Sequence, residues 1–328
     1  MTLFHKAAPL LVLTTCSFIC TPAEAQNDHG FRPRISHPAY TANGPRVLVD
    51  EGHWNAFTLE EGRGSALHDL LRADGYRVAA ISSAFTPSAL EAADILIVAA
   101  ARGLDWNTLE SSSGGTPDSA VMFSAFTHAE IEDVRAWVDG GGGLLIAAEH
   151  FPYAHTMAAL AMVFGVELRD GILADTANLH VASLPDSFPS GTPMDGRILA
   201  SRENELLRPH SITRGRAPAE EVASVVFFGG TSLCGPASSH TLVTLSRTAE
   251  QRPLGPFPQP QPQRGCAQAI AFPHGNGRVV VLGDANGFVT AQERDLGTKR
   301  VKVGLSMEDA DNQQFLLNTV RWLSKLLP

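Results

Sequence analysis

Residues 140–153, GGGGLLIAAEHFPY, carry the reading that decides the fold. Four glycines close a helix, Leu144, Leu145, Ile146, Ala147 and Ala148 run on without a polar break, and polar chemistry starts abruptly at Glu149 and His150. An unbroken apolar run is buried on both faces, the habit of a central strand in a parallel sheet. In open α/β sheets ligands bind beyond the carboxyl ends of the strands, which is where Glu149 and His150 fall.

The same logic extends on either side. Upstream, Thr127 and Glu130 form a capping box, and Ile131, Val134, Trp137 and Val138 give the helical face that leads into the glycines. Before it, residues 94–99 (DILIVA) and 77–81 read as strands, with Thr86 and Pro87 opening a short helix between them. Val47, Leu48 and Val49 make the first strand of the domain, ending in the polar loop Asp50-Glu51-Gly52-His53-Trp54-Asn55. Leu67, Leu70 and Leu71 mark the next helix, which Gly75 stops. Residues 102–126 form a Ser/Gly-rich loop holding Asp105, Trp106 and Asn107.

Downstream, a short helix stops at Gly165 and the period is then lost. Residues 166–219 read as an irregular insertion that includes His210, and residues 253–262 (PLGPFPQPQP) as a proline-rich surface loop. Residues 268–272 and 278–283 flank Pro273-His274-Gly275-Asn276-Gly277 as the arms of a hairpin. The second arm repeats the central strand, an apolar run ending in Asp284 and Asn286. Phe315, Leu316, Thr319, Trp322, Leu323 and Leu326 mark an amphipathic closing helix. This order predicts a flavodoxin-like three-layer α/β/α sandwich, with a mostly parallel sheet and a late antiparallel hairpin.

Lys6, the apolar stretch from Pro9 to Cys20, and Ala23-Glu24-Ala25 read as a signal peptide spanning residues 1–25. The apolar run falls short of the ~20 residues that span a bilayer. We expect a periplasmic or secreted chain without membrane insertion after cleavage, an extended arm over residues 26–45, and one α/β domain over residues 46–328. Lys6 and Glu24 leave together, so the rest keeps the net charge of −9. An acidic chain with no basic run excludes nucleic acid as partner. Cys234 and Cys266 are then the two cysteines left, and in an oxidising compartment two thiols pair; closing a loop of about thirty residues is worth roughly 3 to 4 kcal/mol.

RVLVDEGHWN, AFTHAEIEDVRAWVDGGGGLLIAAEHFPY, HSITRG, and RVVVLGDANGF followed by DNQQFLLNTVRWL resemble a bacterial group of the class I glutamine amidotransferase-like superfamily, near the ThuA-like and GIFT-type domains. The likeness covers most of residues 46–327. Glutaminases of that superfamily carry a cysteine in a Gly-x-Cys-x-Gly elbow after a central strand and a later His-x-Glu. Here the elbow position holds Glu149 and His150, and Cys234 and Cys266 lie in other contexts. The His-x-Glu present, His128-Ala129-Glu130, precedes the strand, with Glu130 accounted for by the capping box. The resemblance therefore implies the fold without the glutaminase nucleophile.

In that fold Glu51, His53, Glu149, His150, Asp284 and Asn286 lie along one sheet edge. We expect Glu149, His150 and Glu51 to supply any acid–base chemistry, and His53, Glu51 and His150 to be the candidate ligands of a divalent metal. Asn55, Trp54, Asp284, Asn286 and His210 are the candidate binding groups, because aromatic faces beside polar side chains suit a sugar ring. Two functions follow: an exported domain that binds a polar small molecule, with a carbohydrate as first choice, or a hydrolase, metal-assisted or not, with Glu149 or Glu51 as general base.

Overall fold

The computed structural model describes residues 25–59, 63–104, 124–183, 197–253, 264–295 and 300–328. Residues 1–24 of the expected signal peptide, Trp106 with its neighbours, and all but the first residue of the proline-rich loop lie outside the described residues.

The chain enters as β1 (Ala25–Asn27), and the residues after it tie the arm to the body: Asp28 accepts from Ser306 at 2.6 Å. Alternation of strand and helix follows: β2 (Arg46–Asp50), α1 (Ser65–Ala73), β3 (Arg77–Ile81), α2 (Pro87–Leu90), β4 (Ile95–Ala99), α3 (His128–Asp139) and β5 (Gly143–Ala147). Each helix starts or stops where local chemistry dictates. Thr86 caps α2 ahead of Pro87, and Thr127 with Glu130 forms the reciprocal box that opens α3.

After β5 come α4 (Tyr153–Met162), β6 (Glu167–Leu168), β7 (Ile172–Ala174), β8 (Arg197–Ser201), α5 (Ser211–Arg214), β9 (Ser224–Phe228), β10 (Leu233–Cys234), β11 (His240–Thr244) and β12 (Glu250–Arg252). The stretch expected to be irregular thus carries short strands. β6 and β7 escape a periodicity reading because two or three residues give no period, and the partners in this stretch are distant in sequence: β7 pairs with β12, and β8 with β9. The chain closes with β13 (Ala267–His274), β14 (Gly277–Leu282), α6 (Asn286–Val289), β15 (Ala291–Asp295), β16 (Arg300–Gly304) and α7 (Asn312–Leu323).

Among the described residues the main sheet has nine strands, in the order β3-β2-β4-β5-β14-β13-β10-β6, with β11 also on β13. From β3 to β14 every neighbour is parallel, β13 returns antiparallel to β14, and the sheet as a whole is mostly parallel. Alternate residues of its strands feed two apolar clusters: Ile95, Ile97, Leu145 and Val280 pack with Leu67, Leu70, Phe315 and Leu316. Leu96, Val98, Leu144 and Val281 pack with Val134, Val138, Met157 and Leu160. Burial on both sides is what makes these runs continuously apolar.

At the far end from the strand carboxyl termini, Arg321 of α7 is fully buried. It binds Asp74 through Nε at 2.9 Å and through a second nitrogen at 2.6 Å, with Glu220 at 3.1 Å. That paired network fixes the closing helix to the turn after α1. Cys234 and Cys266 form a disulfide where β10 meets the start of β13.

Candidate functional site at the strand carboxyl ends

Beyond the carboxyl end of β2 the chain turns on Asp50. Its Oδ1 accepts from the backbone N–H of Gly52 at 3.1 Å, and its Oδ2 from Asn55 Nδ2 at 2.9 Å. This turn aims His53 back over the strand. Its Nδ1 lies 2.8 Å from Asp50 and its Nε2 2.9 Å from Glu130, while Phe85 and Phe126, stacked on each other, pack against the ring. Burial opposes the imidazolium, but the bonds and charges of Asp50 and then Glu130 outweigh it and raise the His53 pKa. Burial likewise works against the Glu130 carboxylate; Thr127 and His53 overcome it and hold that pKa below the ordinary range. Glu130 is therefore a helix cap and an ion partner at once.

Glu149 follows β5, and Asp284 follows the adjacent β14. Both side chains are buried, with 1% and 0% exposure. Glu149 Oε2 accepts from Asn286 Nδ2 at 2.8 Å, and its Oε1 from the N–H of His150 at 3.1 Å. Asp284 Oδ2 accepts from the N–H of Phe228 at 2.6 Å. The Gly229-Gly230 turn closes over the pair: Gly230 has φ +78°, and a Cβ there would stand 2.2 Å from the Gly283 carbonyl oxygen. Burial raises both carboxyl pKa values, against the hydrogen bonds that favour the Glu149 anion; Asp284 is raised the further, because the charge of Glu149 adds to its burial. The two carboxyl groups act on each other, so they titrate as a pair.

His150 is half-buried, with Nδ1 2.6 Å from the Phe151 carbonyl oxygen. A carbonyl only accepts, so Nδ1 carries the proton and Nε2 presents its lone pair. Burial lowers the His150 pKa and keeps the ring neutral near pH 7.

The expected edge is thus split between two networks. Glu149, Asp284 and Asn286 come together with His150 beside them. His53 and Asn55 join Asp50 and Glu130 instead, and Glu51 turns away to accept the N–H of Leu59 at 2.6 Å. Glu51, His53 and His150, the expected metal ligands, are thus engaged by different partners. Both His53 nitrogens are engaged by carboxylates, and among the described residues no three acidic, histidine or cysteine groups converge as a metal set. Trp54 is 56% exposed, with φ +52°. His210 lies at the other end of the sheet, capping α5 and packing on Trp322, itself under Arg278 at the start of β14. Burial lowers its pKa to about 4, aided by His240, Arg214 and Arg278. Asp50 is a member of the site that reading the sequence misses, and the signal that could have found it is its place as the last residue of an apolar strand.

No family model matches the sequence, and no curated protein matches it. Among solved structures the chain is similar to the mmIFT52 N-terminal domain, at 17% identity and TM-score 0.54 over 85% of this chain and 97% of that one. A ThuA-like protein from Bacteroides uniformis matches at 11% identity and TM-score 0.40, over 89% and 94% of the two chains. A GMP synthase component from Thermoplasma acidophilum matches at 10% identity and TM-score 0.40, over 87% and 96%. The first of these likenesses is one of fold, a mixed α/β architecture with a large, mostly parallel sheet.

Proposed function

We propose that this protein is an exported amidotransferase-like α/β domain, three-layered and without a glutaminase nucleophile, that binds a polar small molecule at the carboxyl ends of β5 and β14. A carbohydrate is the first choice. The observation that carries this reading is the Glu149–Asp284 pair. Two carboxyl groups buried side by side oppose folding, and such pairs are kept where a site needs them. Here the pair orients Asn286 and the backbone of His150, which are half-buried at the edge where open α/β sheets take ligands. Exposed Trp54 offers a face on which a sugar ring can stack.

The missing nucleophile is supported by the chemistry of the cysteines. Cys234 and Cys266 are bonded to each other, and the elbow position holds Glu149 and His150. Export is supported by the sequence of residues 1–25 and by that same bond. Two alkylated cysteines under non-reducing conditions, read by intact mass on protein recovered from the periplasm, would rule out the bond; absence of the chain from the periplasm would overturn export.

A second reading, hydrolysis, draws on one observation: His150 is neutral and its Nε2 lone pair is free to take a proton from water. Glu149 is too enclosed for that duty, so in this reading it positions His150.

The test is a thermal-shift series with neutral mono- and disaccharides on the wild type and on Asn286→Ala. A ligand of the native state raises the midpoint, and the variant should lose that rise. Glycoside turnover that vanishes in His150→Ala would favour the second reading. A rise equal in Asn286→Ala and wild type would sink the site.

A further inference from the structure

Two small sheets face one another beside the carboxyl pair. In the β8–β9 pair Arg197 lies opposite Phe228 and Leu199 opposite Val226, so these four side chains share a face. In the β15–β16 pair Gln292 lies opposite Val303 and Arg294 opposite Val301. Val226, Phe228 and Val303 belong to one buried cluster, with Leu199 and Val301 packed against it. Strand residues two apart share a face, so Arg197 from the first sheet and Gln292 with Arg294 from the second enter the same interlayer. That interlayer borders the site, because the N–H of Phe228 is the group bound to Asp284.

Its polar lining is unbalanced. Arg197 is 6% exposed, and burial together with the nearby charge of Arg294 lowers its pKa to about 10. Among the described residues, the Nε of Arg294 and the Nε2 of Gln292 are buried without a hydrogen-bond partner. Buried N–H groups are satisfied in the great majority of cases, so two orphaned donors on one strand face mark the place of a missing acceptor. Glu149 and Asp284 act on Arg294 only at a distance, and their oxygens are already engaged by Phe228, Asn286 and His150.

Resting on the polar-ligand reading above, we infer that this interlayer takes an oxyanion, the carboxylate or phosphate group of the ligand, with Arg294 and Gln292 donating to it and Arg197 adding charge. A planar guanidinium suits either anion, and such charge-assisted bonds are the strong ones. Asn286, bonded to Glu149, is then left to the neutral hydroxyl groups of the same molecule.

Thermal midpoints of the full chain in glucose, glucuronate, glucose 6-phosphate and inorganic phosphate test this. We expect glucuronate or glucose 6-phosphate to raise the wild-type midpoint at lower concentration than glucose does. Arg294→Gln should need about tenfold more of that anion for the same rise, with its response to glucose unchanged. A preference for glucuronate identifies a carboxylate ligand, and one for the phosphates a phosphoryl group; both sustain the inference. A rise with glucose equal to that with the anions overturns it while leaving the polar-ligand reading standing. An anion response undiminished in Arg294→Gln, or no response to any anion, also overturns it. Should Arg294→Gln fail to fold, Gln292→Leu carries the same test, since it removes a donor without removing a charge.

Discussion

His53 and Glu149 sit at the ends of strands in one sheet, and their surroundings handle buried charge in opposite ways. His53 stands between Asp50 and Glu130 as a base between two acids, with both ring nitrogens bonded and two phenyl rings packed against it. Glu149 stands against Asp284, like against like, and burial pushes both carboxyl pKa values up. The first network completes itself from residues of the chain. The second leaves a neutral histidine lone pair and an oriented asparagine at its rim, with unpartnered donors in the interlayer beside it. A network that closes on itself is read as structure, whereas one held under mutual repulsion is read as a site.

The largest effect should come from breaking the closed network. His53→Ala leaves two acidic groups without their shared partner and a cavity beside Phe85 and Phe126. Removing one partner of a buried ion pair costs about 3 to 5 kcal/mol. Urea unfolding near pH 6 would show this; a loss below ~1 kcal/mol would mean that the clamp is as dispensable as a surface pair.

Next in size is a pH dependence that separates the two networks. The carboxyl pair has raised folded-state pKa values, so above the ordinary values of 3.8 and 4.5 the native state holds more protons than the unfolded chain. Stability then falls as pH rises, by up to about 1.4 kcal/mol per pH unit per proton, until the folded-state values are passed. His53 is also raised: its contribution is full below the ordinary 6.5 and is lost as pH climbs through the folded value. Glu130, being lowered, contributes above its ordinary 4.5 and loses that contribution on acidification. Asp284→Asn should flatten the decline that begins near pH 4 and be neutral or stabilising at pH 8, whereas His53→Gln should flatten only the decline above pH 6.5. Identical profiles for wild type and Asp284→Asn would show that the two carboxyl groups do not titrate as a pair.

Much of this is legible in the sequence, for reasons the two networks make plain. Strands β2, β4, β5 and β14 announce themselves because burial on both faces permits only apolar residues, and their polar ends fix where Glu149, Asp284 and Asn286 fall. The capping box spelled by Thr127 and Glu130 is equally plain, but a carboxylate with two jobs shows only one in sequence. Choosing Glu51 over Asp50 is a coin toss without register, since neighbours in a strand point to opposite faces; Asp50 faces His53, and Glu51 does not. His210 misleads because imidazole rarely caps a helix, and Arg197 and Arg294 sit on strands, RILAS and AQERD, without the apolar run that marks the main sheet.

Asn286→Ala sharpens the comparison on the open side. It removes the 2.8 Å bond to Glu149, so we expect a loss of about 1 kcal/mol together with the loss of ligand response. A larger loss with the ligand response intact would reassign Asn286 to structure alone.

The smallest effect on stability, and the finest test of where one network ends and the other begins, belongs to Trp54. It grows from the loop that carries His53, yet it is largely exposed and its backbone is left-handed, a conformation that disfavours any side chain with a Cβ. Truncation to Ala keeps that strain and removes little buried surface, so stability should move by no more than about 0.5 kcal/mol. Trp54→Gly relieves the strain and should be the more stable of the two variants. If the indole stacks on a sugar bound at Asn286, both variants weaken the ligand-induced rise in melting temperature to a similar degree, although neither touches the carboxyl pair. A rise unchanged in both would confine the binding edge to β5 and β14 and leave the whole His53 loop to structure.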